Sequence, residues 1–425
     1  MGSWLSMRAR AEITKVFATA YRKASKKEKG IILTTVVDAT GWSRDNARRQ
    51  LTARAAGKKP PVGQALKRKP RGFKYSYDAR KVLQQVWAVS GGLSGPYLAA
   101  SMPGWLEAMR AHGHLVDGRA RYSADVEQEL LAMSGATIDR YLAPVKARAL
   151  KGKSATKPGA LLRTSITIRK AGDEVADEPG FFEADTVAHC GPTLKGEFAR
   201  SVNLTDVKIG WVFTCAIRNN ARKHMLSALR DAERCIPYQI QGLDCDNGSE
   251  FINHEVVAWA ASRDIYFTRS RPYRKNDQAA IESKNNHEVR RYGYYFRYDT
   301  PAELGLLNHL WALVNDRLNY FTPVKKPTGW TTDRSGRRKR QYDKPRTPLD
   351  RLITSGVLSA QQQTDLLTRK AALDPVTIAK QIDAIQQRLI KLASQKTHDL
   401  QTSLIRPLPN PTTGIHIKPP TGKTT

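Results

Sequence analysis

The sequence predicts a multidomain protein with α-helical amino-terminal domains, an α/β core built on a mixed five-stranded sheet, and a basic, partly helical carboxy-terminal tail. Two patterns carry this prediction. Apolar residues with helical spacing, interrupted near glycines, fill most of residues 8–150. From about residue 178, three consecutive strand-like runs give way to alternating helices and strands. That order describes a mixed sheet with helices on its faces.

The region 8–57 is predicted to be a helix-turn-helix DNA-binding domain. An apolar stretch is followed by Gly41 at a turn, and Ser43 is well placed to cap a second helix. On that helix Ala47 and Leu51 lie one turn apart and are expected to face the core. The residues left for phosphates and base edges are Arg44, Asn46, Arg48 and Arg49. The alternative is a solvated helix in a small helical bundle.

A second helix pair is predicted within 76–150, between basic linkers at 57–74 and 151–163. Here a helix meets Gly135, where the next one begins with an apolar face. Thr137 and Arg140 lie outside that face. We expect this pair to be a second DNA-binding domain in which these two side chains contact DNA.

The core is predicted to span 178–320. Its strand-like runs are 181–188, 201–208, 211–217, 238–243 and 265–268. Its helical runs are 221–235, 255–263, 278–292 and 301–320.

The tail is predicted to span 321–400, basic and loop-rich up to about Arg346. The basic cluster 334–340 is expected either to hold DNA or to be a flexible charged segment, and the sequence leaves both open. Two short helices are expected at 348–356 and 374–394, the second either docking a partner or packing on the core. Residues 402–425 are expected to be disordered.

The charge of the chain indicates what these domains bind. Among 425 residues, 70 Lys and Arg face 39 Asp and Glu, a formal net charge of +31 at pH 7. Residues 1–170 alone hold 33 basic and 11 acidic side chains. Such an excess predicts attraction to polyanions, of which nucleic acid is the commonest.

Neither a membrane nor a cysteine framework is expected. No run approaches the roughly 20 apolar residues that cross a bilayer, so we expect a soluble intracellular protein. The cysteines contain no C-x-x-C pair, which argues against a disulfide framework or a cysteine zinc site. They are Cys190, Cys215, Cys235 and Cys245.

Three acidic residues stand at the ends of predicted core elements. Asp185 lies in the first strand, Asp246 follows the fourth strand, and Glu282 lies on a helix. Asp-Asn-Gly-Ser-Glu-Phe from Asp246, followed after 35 intervening residues by Glu-Ser-Lys-Asn from Glu282, resembles the D-D-E catalytic core of retroviral-type integrases and bacterial insertion-sequence transposases. The resemblance covers about residues 178–320.

This resemblance implies that the core has a ribonuclease H-like fold and that the protein is a DNA transposase. Such a protein would bind the terminal inverted repeats of its element and catalyse 3′-end cleavage and strand transfer into target DNA. Asp185, Asp246 and Glu282 would be both catalytic residues and ligands of two Mg²⁺ or Mn²⁺ ions, with Asp185 bridging them. Carboxylate oxygens suit these hard cations, and a two-ion site serves both the attacking and the leaving oxygen.

The resemblance also implies partners and a location. The protein would bind double-stranded DNA, both as element ends and as target. It would act as a homo-multimer that brings two element ends together, and it would lie in the bacterial cytoplasm, associated with the nucleoid. A helper ATPase cannot be inferred. Basic residues around the catalytic helix are expected to hold the DNA backbone. They are Arg269, Arg271, Arg274, Lys275 and Lys284.

Other acids compete for these roles. Glu183 and Asp206 are alternatives to Asp185, and Asp244 is an alternative second acid. Asp185 is preferred because the family pattern places the acid just before a small polar residue, here Thr186, while Asp206 is expected to be structural. Two other functions remain open, a domesticated and inactive DNA-binding regulator and a nuclease of the same fold.

Overall fold

The structure is a computed structural model that describes residues 5–55, 73–146, 168–169, 178–245, 250–251, 253–270, 285–332 and 338–404. The chain divides into two compact units, Met1–Lys74 and Tyr75–Thr425. No described helix is both long and apolar enough to cross a membrane.

The first unit contains three helices, α1 (Met7–Lys23), α2 (Lys26–Thr40) and α3 (Arg44–Ala55). Gly41 ends α2 with φ +67°, a left-handed conformation that glycine adopts without strain. The Ser43 hydroxyl then accepts a hydrogen bond from the Asn46 amide at 3.3 Å, which caps α3. The small core consists of Tyr21, Leu33, Val36, Ala47 and Leu51. The prediction that Ala47 and Leu51 face the core is confirmed.

Four further helices begin the second unit: α4 (Tyr77–Val89), α5 (Gly95–Ala111), α6 (Ala124–Leu131) and α7 (Gly135–Lys146). Gly135 starts α7 and touches the start of α5. A Cβ on Gly95 would lie 2.0 Å from the Gly135 carbonyl oxygen. A side chain at this crossing would push the two helices apart, so the glycines permit their close approach.

The central sheet has the strands β1 (Ile168–Arg169), β2 (Phe181–Ala188), β3 (Arg200–Asp206), β4 (Val212–Ile217), β5 (Gly242–Cys245) and β6 (Tyr266–Ser270). Their order is β1-β6-β5-β2-β3-β4. The strands β2, β3 and β4 form an antiparallel meander, while β5 and β6 add in parallel. The mixed five-stranded sheet is therefore confirmed, with the two-residue β1 as an extra edge.

The fourth strand was predicted at 238–243 but forms at Gly242–Cys245. The apolar residues before Gly242 are buried, although they do not belong to the strand. Tyr238 and Ile240 are buried, but they precede the residues of β5 that pair with β2 and β6. The Tyr238 hydroxyl donates to Asp206 at 3.0 Å. Hydrophobic spacing reports burial and cannot by itself report which residues pair in a sheet.

Helices cover the sheet: α8 (Arg222–Cys235), α9 (His254–Ser262), a π-helical turn (Asn285–Val289) that continues into α10 (Arg290–Gly293), and α11 (Pro301–Tyr320). The helix α11 lies along the edge strand β4. Asn308, Asn315 and Asn319 each donate to the carbonyl and accept from the amide of one β4 residue, at 2.8–3.0 Å. Their partners are Ala216, Thr214 and Val212. The side-chain amides thus take the place of a neighbouring strand and protect this edge.

Replacing Asn319 by Leu should destabilise the second unit by about 2–4 kcal/mol, because the buried amide and carbonyl of Val212 both lose their partner. Chemical denaturation measures the loss. Asn220→Leu, outside this ladder, serves as the control and should leave the midpoint near that of the parent. Equal midpoints for the two variants would show that the asparagine ladder does not stabilise the edge.

The carboxy-terminal region is more ordered than expected. The segment predicted as loop forms an antiparallel ribbon of β7 (Pro327–Thr332) and β8 (Arg338–Tyr342). The helices α12 (Pro348–Ser355), α13 (Ala360–Ala372) and α14 (Pro375–Leu404) follow. The helix α13 was not predicted, because Leu366 is its one buried residue and its sequence therefore has little hydrophobic periodicity.

The helix α14 packs on the protein's own core, one of the two alternatives left open by the sequence. Its apolar face, formed by Ile378, Ile382, Ile385 and Leu389, belongs to the main hydrophobic core. At its start the Asp374 carboxylate contacts His114 Nε2 at 2.9 Å. The helices α4–α7 and the carboxy-terminal helices therefore share one unit with the sheet.

Candidate active site

One face of the sheet is polar at its centre. Glu183 and Asp185 alternate with buried apolar residues of β2 and point to the same face. The strand register places Asp244 beside Glu183 and Asn203 beside Asp185. Thr268 continues the row in β6, and its hydroxyl donates to Asp244 Oδ1 at 2.7 Å. Of the three acids on this face, Glu183 and Asp244 are buried while Asp185 is only half-buried.

The Asp185 carboxylate is oriented from two sides. Its Oδ1 accepts a hydrogen bond from the Thr186 amide at 2.6 Å. Its Oδ2 accepts one from the Asn285 side-chain amide, and Asn203 donates to Asn285 Oδ1 at 3.4 Å. Asn285 lies three residues after Glu282 in the sequence. The segment that follows Glu282, the predicted third acid, therefore contacts Asp185, the predicted first acid.

A second network lies beside Asp185. The Thr186 hydroxyl donates to Glu250 Oε1 at 2.8 Å, and Arg200 Nη1 donates to that oxygen and to the Thr186 hydroxyl, both at 3.2 Å. The side chains of Arg200 and Glu250 are 20% and 12% exposed. The network joins β2 and β3 to the segment that follows Asp246. Glu250 had no predicted role, although it stands inside the Asp-Asn-Gly-Ser-Glu motif.

The competing acid Asp206 holds the turn after β3. It accepts hydrogen bonds from the backbone amides of Gly180 at 2.8 Å and Ile209 at 2.7 Å and from the Tyr238 hydroxyl. Burial raises the pKa of Asp206 above its ordinary value, although these hydrogen bonds and the charge of Lys326 oppose the shift. With its oxygens engaged in the fold, Asp206 is a structural residue.

His189, which follows the candidate site along β2, is also part of the core. Its Nε2 lies 2.8 Å from the Ser201 hydroxyl. Burial, with a smaller contribution from the charge of Arg290, lowers the pKa of His189 to about 3. The imidazole is therefore neutral at physiological pH.

Several predicted site residues lie outside the described part of the chain, namely Asp246, Arg271, Arg274, Lys275, Glu282 and Lys284. Arg269 lies in β6, where its backbone pairs with Cys245. Among the described residues, no group of three His, Cys, Asp or Glu side chains is arranged to hold a metal ion. The residues flanking the two remaining acids nevertheless approach Asp185, since Cys245 pairs with Ala184 and Asn285 contacts the carboxylate.

The predicted DNA-binding residues of α3 are accessible to different degrees. Arg44 is tied to α2, donating to the Thr34 hydroxyl at 2.9 Å and to the Gly30 carbonyl at 3.1 Å. Asn46 is half-buried, whereas Arg44 is exposed, as are Arg48 and Arg49. The last two contact their own helix, Arg48 through Asp45 at 3.3 Å and Arg49 through Asn46 at 3.0 Å.

On α7, Arg140 is exposed and Thr137 is half-buried. The Arg140 guanidinium donates to the Thr137 hydroxyl at 3.1 Å. The two side chains predicted to contact DNA are therefore adjacent on the outer face of the helix.

Known proteins are similar to this chain in its core and along most of its length. Residues 177–275 match the integrase core domain, a segment that contains Asp185 and Asp246 and ends before Glu282. The uncharacterized protein y4rM of Sinorhizobium fredii (strain NBRC 101917 / NGR234) is 33% identical over 328 residues, which are 77% of this chain and 90% of that protein.

Two solved structures are also similar. The catalytic core domain of BIV integrase is 16% identical with a TM-score of 0.29, covering 41% of this chain and 95% of that chain. The HTLV-2 integrase catalytic core domain in complex with magnesium (dimeric form) is 15% identical with a TM-score of 0.27, covering 35% and 91%. The integrase core domain at residues 177–275 places the chain in the integrase and transposase superfamily, and over most of its length the chain belongs to the same family as y4rM.

Proposed function

We propose that this protein is a DNA transposase whose ribonuclease H-like core cleaves the 3′ ends of its element and joins them to target DNA. The observation that carries the proposal is the polar face around Asp185. There a half-buried carboxylate is oriented by hydrogen bonds and is approached by the flanks of Asp246 and Glu282. These three acids form the catalytic set of the proposal.

The residue types of the proposed catalytic set fit a hard divalent cation. Asp185, Asp246 and Glu282 would hold the ions through carboxylate oxygens, the ligands that Mg²⁺ and Mn²⁺ prefer. The thiol of Cys245 is fully buried and belongs to the apolar core with its register partner Ala184, so this thiol does not offer a soft ligand to the polar face. Two bound ions would supply an activated attacking oxygen and stabilisation of the leaving oxygen.

Glu250 and Arg200 act as positioning residues in this proposal. Replacing Glu250 by Gln should slow strand joining by about 10–100-fold and raise the Mg²⁺ concentration needed, as loss of a supporting partner does in other metal sites. The reason is that the neutral amide no longer pairs with Arg200 beside Asp185. Joining rates across a Mg²⁺ titration measure both effects. Glu255→Gln, exposed on α9, is the matched control, and identical titrations for the two variants would remove Glu250 from the site.

The helical regions supply DNA recognition in this proposal. The helix α3 would act as the recognition helix of a helix-turn-helix, with Arg48 and Arg49 reaching DNA and Arg44 bracing α2. The helix α7 would present Thr137 and Arg140 in the same way. The basic residues before and on the Glu282 segment would hold the phosphate backbone, and a homo-multimer would bring two element ends together.

The test of this function uses the full chain, Mg²⁺ and a labelled duplex made from the DNA on either side of its gene, where the proposal expects inverted repeats, with a supercoiled plasmid as target. We expect cut 3′ ends and covalently joined products, both lost with a chelator. Nicked but never joined strands would indicate a nuclease. Specific binding without any cleavage in Mg²⁺ or Mn²⁺ would indicate an inactive regulator.

A further inference from the structure

The ribbon of β7 and β8 is exposed on both faces. Every residue of its two strands except Gly329 is exposed, including Trp330 at 55% and Tyr342 at 53%. Within the described part of the chain, each strand pairs only with the other. A two-stranded ribbon that buries no face is at best marginally stable by itself, so its order depends on how its base is held.

The base of the ribbon is fixed to the core. Val324 and Arg346 exchange backbone hydrogen bonds at 2.8 and 3.2 Å. Asp343 accepts from the Lys326 amide at 2.8 Å and pairs with Arg351 at 2.7 Å. The Lys326 ammonium donates to the Val207 carbonyl at 2.6 Å, next to the turn between β3 and β4. The ribbon is thus a projection with a rigid base.

One face of the ribbon combines arginines and aromatic rings. The register pairs Trp330 with Arg340 and Thr332 with Arg338, and Tyr342 follows on the same side. The guanidinium carbons of Arg338 and Arg340 lie 5.0 and 5.6 Å from the Trp330 ring centroid. Stacking on the indole orients both guanidiniums while leaving them exposed.

Charge selects the partner of this face. Residues 325–344 contain eight Lys and Arg against two Asp. The same ribbon of a second copy carries the same excess of basic residues and would repel it. A DNA duplex would attract it, and its major groove admits a two-stranded ribbon.

We propose that the ribbon β7–β8, through Arg338 and Arg340 beside Trp330, binds the phosphates of duplex DNA without sequence preference and so holds target DNA. The proposal rests on the transposase function proposed above. Arginine–phosphate contacts carry no sequence information, which suits target rather than element-end DNA, and the anchorage beside the β3–β4 turn places the ribbon on the unit that contains Asp185.

The test compares two full-length double variants. Arg338→Gln with Arg340→Gln removes two positive charges from the ribbon, and Lys380→Gln with Arg388→Gln removes two from the exposed side of α14. Fluorescence anisotropy gives the affinity for a duplex of unrelated sequence between about 50 and 200 mM salt. Losing two phosphate contacts should make the slope of log affinity against log salt shallower by about 1.8. The α14 variant should keep the parental slope.

Three results would overturn the proposal. One is an equal slope for the two variants, and another is a loss confined to element-end duplexes. The third comes from a photo-crosslinking residue at Thr332, which should give a DNA adduct, whereas a covalent protein dimer would make the ribbon a subunit interface. A parent chain that binds neither duplex would refute the proposed function as well. If the parent chain binds DNA and the ribbon variant shows the same salt dependence, only the proposed role of the ribbon is refuted.

Discussion

Replacing Asp185 by Asn should lower both 3′-end cleavage and strand joining by about 10³-fold or more. Asn has nearly the same shape, so the strand and the hydrogen bond from the Thr186 amide can persist. The change removes one negative charge and one strong oxygen ligand from the polar face. Metal-dependent stabilisation of the transition state is worth several kcal/mol, and each 1.36 kcal/mol is about a factor of ten in rate.

Single-turnover cleavage and joining assays with Mg²⁺ measure this effect, beside DNA affinity and the melting temperature of the variant. Asp383→Asn, on the exposed side of α14, removes the same charge far along the chain and should retain full activity. Parental activity of the Asp185 variant would show that this carboxylate is not the first acid, and Glu183, on the same face, would then be tested in its place.

Replacing Arg297 by Met should destabilise the second unit by about 3–5 kcal/mol, because several backbone carbonyls lose the buried guanidinium as their hydrogen-bond donor. Arg297 is 6% exposed, and its Nε donates to Asp299 at 2.6 Å. Its two terminal nitrogens donate at 2.9–3.2 Å to four backbone carbonyls of the loop between β2 and β3. Those carbonyls belong to Cys190, Thr193, Lys195 and Glu197. Methionine retains an unbranched apolar chain but leaves all four acceptors without this donor.

Urea denaturation followed by fluorescence measures the change in the unfolding free energy. Arg218→Met is the matched control, because Arg218 contacts Glu197 of the same loop but its side chain is 66% exposed. Exposed ion pairs contribute little, so this variant should unfold near the parental midpoint. Equal destabilisation of the two variants would contradict the role of Arg297 as the organiser of this loop.

Hydrophobic periodicity predicted the bounds of a helix or strand best where the periodic residues span the whole element. The strand Phe181–Ala188 and the helix Pro301–Tyr320 have the bounds predicted for them. The helix has a capping box formed by Thr300 and Glu303 at its start, a signal contained within four residues. The ribbon β7–β8 was missed because its strands have no buried face and therefore no alternation to detect.

The candidate site likewise has features that the sequence predicted and features that only the fold shows. The spacing of Asp246 and Glu282 and the excess of basic residues are properties of the sequence, and they predicted the chemistry proposed for the site. The sequence already favoured Asp185 over Asp206 as the first acid, and the fold shows what distinguishes the two carboxylates. Asp206 is engaged by backbone amides and a buried tyrosine, while Asp185 is half-buried on the polar face.

The sequence by itself determined the types of residue at the candidate site, the order of strands and helices in the core, and the positive charge from which binding to a polyanion is predicted. Only the tertiary structure decided which distant residues meet. Thr186 bonds Glu250 across 64 residues, and Asn319 pairs with Val212 across 107. The physical reason is that secondary structure follows from interactions within a few residues, whereas such pairs form only once loops close and the sheet sets its register.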